Sequence, residues 1–171
     1  MTVVALLCLA VAAAAPALML LPRPRVRTSA LVSLVALAVA ALAAAAAPPA
    51  QGVAVVVALV FTALAAITGG GPTVLVAFRI ARRQPDAGPA PSPPPGPLRG
   101  GRVIGVLERA AVTASILAGW PEGIAIIMAV KGLARYPELR EPQASEQFII
   151  GTATSVLWAV AACGVGRALL T

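Results

Sequence analysis

Residues 29–47 read SALVSLVALAVAALAAAAA, nineteen residues with no charge and only Ser29 and Ser33 as polar side chains. A helix needs about 20 predominantly apolar residues to cross the hydrocarbon core of a bilayer. This stretch meets that length, and it has neighbours of the same kind on both sides. Thr2 to Leu21 precedes it and Val53 to Ile80 follows. Arg102 to Gly119, Pro121 to Tyr136 and Glu146 to Leu170 make three more. In lipid every backbone group must be satisfied inside the segment or by a closed barrel. A barrel strand alternates with period two, whereas these runs are continuously apolar, so helices are expected. The reading is an all-α polytopic transmembrane helical bundle, about six spans in two three-helix halves.

Composition agrees. Of 171 residues 60% are hydrophobic and 11% charged, where soluble domains carry roughly 25% charge. The mean hydropathy is +0.94. A net charge of +7 raises nucleic acid as a partner, but the basic residues flank apolar runs and form no stripe interleaved with aromatics. The expected surroundings are the lipid bilayer, with a membrane-protein partner or a homo-oligomer, and no nucleic acid. The chain has no His and two Cys, which excludes a metal site built on His and Cys spacing. No cofactor is expected. Cys8 and Cys163 read as small membrane-buried residues rather than as a disulfide. Ala, Val, Pro, Gly and Arg dominate and Lys131 is the single lysine, a bias that suggests a high-GC bacterial genome and hence a bacterial plasma (inner) membrane.

Charge orders the spans. No Lys or Arg precedes the first run, and Arg23, Arg25 and Arg27 follow it. A cleavable signal peptide has the reverse order, so a first span with its N-terminus outside is expected. Pro48, Pro49, Gln51 and Gly52 make an uncharged outer turn. The third run is interrupted at Gly69-Gly70-Gly71-Pro72, where proline disfavours helix in the residue before it and a kink is expected. That run crosses as one tilted helix, or it nearly crosses by Ile67 and continues along the interface. Either way Arg79, Arg82 and Arg83 stay inside. Trp120-Pro121-Glu122-Gly123 reads as a tight outer turn. Twelve of the 13 Lys and Arg then fall on the inner side or the inner part of a span, with Arg167 alone outside, as the positive-inside rule requires. Both termini are expected outside.

Seven of the fourteen residues from Gln84 to Pro97 are proline. Such a segment is extended, about 40 Å long at 3.1 Å per residue, and reads as a cytoplasmic linker. It divides the chain into an apolar three-span half, 1–83, a Pro-rich linker, 84–98, and a three-span half with a polar signature, 99–171.

Chemistry is expected in the second half. An ionisable residue inside a bilayer costs about 2.5–3.5 kcal/mol on insertion scales and marks a functional or structural site. Glu108, Arg109, Lys131, Arg135 and Glu146 form that set. Glu108 lies six residues past Arg102 and Lys131 five before Tyr136, about 9 and 7–8 Å along antiparallel helices. The two sit at one depth, which predicts an ion pair or a network that includes Arg109 and Glu146. Gly101, Gly105 and Arg109 repeat at four, as do Gly151 and Ser155, and small residues at this spacing let helices approach closely. The bland alternative is that the charges only fix register or snorkel to lipid phosphates. Catalysis finds little: the spans contain no paired carboxylates, no Gly-x-Ser-x-Gly elbow and no phosphate loop.

The order Gly101-Arg102-Val103-Ile104-Gly105-Val106-Leu107-Glu108-Arg109, then Ala129-Val130-Lys131-Gly132, then Glu146-Gln147-Phe148-Ile149-Ile150-Gly151-Thr152-Ala153-Thr154-Ser155 resembles the C-terminal part of a bacterial family of integral membrane proteins of unknown function. It differs from that pattern at Gly132, where Ser is usual, and at Gln147, where an aromatic is usual. The resemblance implies a polar signature shared by the last three spans and implies no activity.

Three functions are in play. The leading expectation is a non-enzymatic helical scaffold or a subunit of a membrane assembly. Its rival is a small transporter or channel component that uses the Glu108/Lys131 cluster, with three spans per half echoing inverted-repeat arithmetic. A lipid head-group enzyme has only Glu108, Arg109 and Lys131 in its favour.

Overall fold

The computed structural model describes residues 1–21, 25–83 and 101–171. The described residues are helical and contain no strand. Helix α1 is Thr2–Ala14 and runs into a 3-10 turn, Ala15–Leu20. It is followed by α2 Val26–Ala45, α3 Val53–Thr68, α4 Gly70–Ala81, α5 Gly101–Leu117, α6 Glu122–Ala134 and α7 Pro142–Leu170, with a short 3-10 turn at Glu138–Arg140 before α7. The Pro-rich linker lies outside the described residues.

Four apolar helical runs are long enough to cross a membrane: Thr2–Leu20, Val26–Ala45, Val53–Ala81 and Ala144–Leu170. Of the six expected, α5 and α6 fall short of that length among the described residues. Helix α5 has 17 residues and α6 has 13, about 26 and 20 Å of helix against a hydrocarbon core of about 30 Å.

Proline and glycine set the boundaries. Pro16 has no N–H for the carbonyl of Ala12, so α1 tightens there into its 3-10 turn. Pro72 likewise leaves the carbonyl of Thr68 without its helical donor, and it is tolerated because it lies in the first turn of α4. Gly69 joins α3 to α4 with helical dihedrals, φ −64° and ψ −23°, so the third apolar run bends rather than ends. Gly119, at φ 72°, closes α5: Trp120 N–H donates to the Ser115 carbonyl at 2.8 Å and Gly119 N–H to that of Ile116 at 3.1 Å. This is the Schellman closure that a left-handed glycine permits. Pro142 starts α7 at a position where its missing N–H costs nothing.

The core is made of alanine. Ala5, Leu9 and Ala12 of α1, Ala36, Leu37, Ala40, Ala43 and Ala44 of α2, Ala58, Ala65 and Ala66 of α3, and Trp158, Ala162, Cys163, Val165 and Leu169 of α7 form one buried cluster. Side chains this small let helix axes approach, and close packing is the main attraction available where lipid is as apolar as the core. Larger apolar residues such as Leu31, Leu42, Val56 and Leu157 point outward, the arrangement suited to a lipid solvent. Helix α7 packs on α2, α3, α4 and α5, so the last helix completes a core that begins with the first. The backbone N–H of Ala50 donates to the Leu169 carbonyl at 2.8 Å, which ties the α2–α3 turn to the end of α7. Helix α6 packs chiefly on α5 and buries only Gly123.

Candidate functional site

Glu108 and Arg109 are neighbours on α5, so they project about 100° apart around the helix and serve different partners. Glu108 faces α6. Lys131 Nζ lies 2.7 Å from Glu108 Oε2, the pairing that equal depth on antiparallel helices predicts. The same ammonium donates to Thr152 Oγ1 at 2.7 Å and stands 5.2 Å from the centre of the Phe148 ring. Phe148 and Thr152 are four apart on α7 and therefore share a face. One lysine thus joins α5, α6 and α7 through an ion pair, a hydrogen bond and a cation–π contact. Both side chains of the ion pair are mostly enclosed, at 19% and 16% exposure.

Arg109 turns the other way, into the bundle, and is 6% exposed. Its Nε donates to the backbone carbonyl of Ile67 at 2.6 Å and its Nη1 to Ser155 Oγ at 3.2 Å. Among the described residues no carboxylate lies within ion-pair distance of it. Compensation comes from the backbone instead. Arg109 sits where α3 meets α4, and its guanidinium rests against the backbone of that junction. Trp158 Nε1–H donates to the Ala65 carbonyl of the same helix end at 2.9 Å. Thr68 Oγ1 lies 2.7 Å from the Leu64 carbonyl and 2.8 Å from that of Ala13; with one proton it serves one at a time. Ser29 Oγ donates to the Ala15 carbonyl at 2.7 Å.

These contacts share a place. Two proline breaks, at Pro16 and Pro72, lie side by side. Around them Ser29, Thr68, Arg109 and Trp158 add side-chain donors to carbonyls of the first helix, its 3-10 turn and α3. Gly69 and Gly70 make room for this. A Cβ on Gly69 would stand 2.5 Å from Trp158 Cζ2, 2.8 Å from the Ala65 carbonyl oxygen and 2.9 Å from that of Ala12. One on Gly70 would stand 2.8 Å from Trp158 Cδ1 and 3.0 Å from Arg109 Cδ. The glycine run is therefore a socket as well as a kink.

Other expected site residues fall elsewhere. Glu146 is exposed, in the second turn of α7, and takes no part in the contacts of Lys131 with Glu108, Thr152 and Phe148. Arg135 caps α6 and is half-exposed. Gly101 and Gly105 meet no other helix closely among the described residues. Among the described residues a Cβ on Gly101 would meet nothing within 4 Å, and one on Gly105 only Arg109 Nη1 at 3.4 Å. Gly151 does pack closely: a Cβ there would lie 2.8 Å from Phe78 Cζ of α4. Ser155 is used as a hydrogen-bond partner. Cys8 and Cys163 are free thiols.

Sequence reasoning missed Trp158 and the Ile67 and Ala65 carbonyls. The legible signal was a tryptophan in the middle of an alanine-rich run, since a buried indole N–H needs an acceptor. A backbone carbonyl carries no mark of its own. The crevice lined by Glu108, Arg109, Val112, Ser155 and Val156 has no room for a water molecule. Among the described residues no three His, Cys, Asp or Glu come together as metal ligands. No family model matches the chain, and no curated protein or solved structure shows significant similarity to it. The resemblance of residues 101–155 rests on its motif order alone.

Proposed function

We propose that the protein is a multi-pass scaffold or subunit of a membrane assembly in a bacterial-type plasma membrane, and that its intramembrane charges are structural. One observation carries the reading. The Glu108–Lys131 pair and Arg109 all donate or accept within the bundle, around a crevice too tight for water. A transport site needs a cavity and a polar group left for the cargo.

The termini lie outside and the arginine-rich end inside. This orientation does not depend on the span count, because α5 and α6 leave from that end and return to it whether or not their hairpin crosses. Four spans and six put both termini on one side. Crosslinking and native mass measurement in a mild detergent test the assembly role. A complex with itself or another membrane protein is expected, and a monomer alone would count against it.

A small transporter component is the second reading. It is favoured by the interruption of the third apolar run beside a buried cation. It requires that Glu108→Gln and Lys131→Ala abolish flux in vesicles while insertion and folding survive.

A further inference from the structure

Residues 1–83 contain six arginines and no aspartate or glutamate. Five of the six lie among the described residues: Arg25, Arg27, Arg79, Arg82 and Arg83, and each is exposed. Arg25 caps the start of α2 and Arg27 lies in its first turn, while Arg79 to Arg83 lie at the end of α4. Helices α2 and α4 pack along each other. The bonds from Ser29 to Ala15 and from Thr68 to Ala13 hold all of these segments in one register. The start of α2 and the end of α4 therefore share one end of the bundle, and the five guanidinium groups form a band there.

The segment before α7 at that same end is different. Residues 135–146 hold two arginines, Arg135 and Arg140, against three acids, Glu138, Glu141 and Glu146. Orientation in the membrane counts Lys and Arg and is nearly indifferent to Asp and Glu. Topology alone does not call for a flank cleared of acids. The nearest acid in sequence, Asp86, lies outside the described residues. Apolar residues sit beside the band: Leu20 is 81% exposed, Ile80 is 59% exposed, and Leu21 is also exposed.

We propose that this band binds the phosphates of anionic phospholipids, with Leu20, Leu21 and Ile80 among the acyl chains next to it. Arginine presents a planar fork that matches phosphate oxygens in pairs. Basic clusters at the cytoplasmic ends of membrane helices attract anionic headgroups. An acid-free cluster on two packed helices offers several forks at once with no carboxylate in the same half to compete for them. Nucleic acid would suit the charge but not the exposed leucines and isoleucine.

The test uses the full chain in vesicles of phosphatidylcholine with a minor fraction of phosphatidylglycerol or of a two-phosphate lipid. The protein is re-extracted in mild detergent and weighed by native mass spectrometry. Anionic lipid adducts are expected to outnumber phosphatidylcholine adducts. Replacing the five arginines by Gln should reduce them about tenfold, while Arg135→Gln with Arg140→Gln leaves them in place. Should the Gln variant misinsert, replacing the five by Lys preserves the positive charge that orients the chain and removes the fork, and anionic adducts should fall about threefold, the share the paired hydrogen bonds supply. Equal retention of anionic and zwitterionic lipid, adducts that persist in both five-fold variants, or equal loss in the Arg135/Arg140 variant would overturn the proposal. Displacement of the bound lipid by added RNA would overturn it in favour of a nucleic-acid surface.

Discussion

The alanine core of α1, α2, α3 and α7 and the α5–α6 hairpin are held by different forces. The core is a continuous set of small side chains from four long helices. Its stability is spread over many weak contacts, and no single truncation removes much, because there is little side chain to truncate. The hairpin packs on the core through Val112 and Ile116 of α5 and adds a few polar points to that contact. Helix α6 buries only Gly123 and reaches α7 through Lys131, while α5 anchors in the core through Arg109. The comparison teaches where a charge is worth its insertion cost: at the join between a self-sufficient core and a hairpin too short and too polar to pack by apolar contact alone.

Arg109→Ala should break that join most severely. It leaves the Ile67 carbonyl and Ser155 hydroxyl without a donor and empties a buried volume. A loss of about 2–4 kcal/mol is expected from two buried acceptors losing their donor and from the volume emptied, read as unfolding in mixed micelles. A loss under 1 kcal/mol would mean that the α3 end is satisfied by other means.

Gly69→Ala comes next. The new methyl meets two carbonyl oxygens and the Trp158 ring, and backbone atoms give way poorly. About 1–3 kcal/mol is expected, with a change in Trp158 fluorescence as the local readout. Gly101→Ala provides the contrast inside the hairpin: its Cβ meets open space, and a helix gains from Ala over Gly by up to about 1 kcal/mol. A comparable loss from both would erase the distinction between socket and surface.

Smaller is the coupling of the Glu108–Lys131 pair. Lys131→Met alone strands a mostly enclosed carboxylate, and adding Glu108→Gln should recover part of the loss. A double-mutant cycle is expected to give a coupling of about 1–2 kcal/mol, with hydrogen exchange in α6 accelerated before that in α7. Glu146→Gln sharpens the lower limit. Exposed and outside the network, it should shift stability by less than about 0.5 kcal/mol.

Much of this was legible in the chain itself. Apolar run lengths locate the four long helices. Gly69 to Pro72 and Trp120 to Gly123 mark the bend and the turn. Helical rise alone places Glu108 opposite Lys131. What stayed hidden concerns direction around the axis rather than depth along it. Rise shows that Arg109 lies beside Glu108, but not that it turns from α6 into α3. Spacing makes Gly101 and Gly105 resemble a packing face, yet nothing in the spacing says that no described helix lies opposite. For α5 and α6 hydropathy was read over segments that extend past the helix ends, so those apolar runs look longer in the sequence than the described helices are.

The place of α7 has a consequence for biogenesis. It is the helix that joins α2, α3, α4 and α5, and it is translated after all of them. At about 5–20 residues per second, its 29 residues take seconds to emerge. Throughout that interval the earlier helices lack Trp158 and Ser155, and Arg109 and the α3 carbonyls face each other without their common partner. The nascent chain must wait in the insertion machinery, or in the lipid beside it, with its polar join unfinished until α7 closes it.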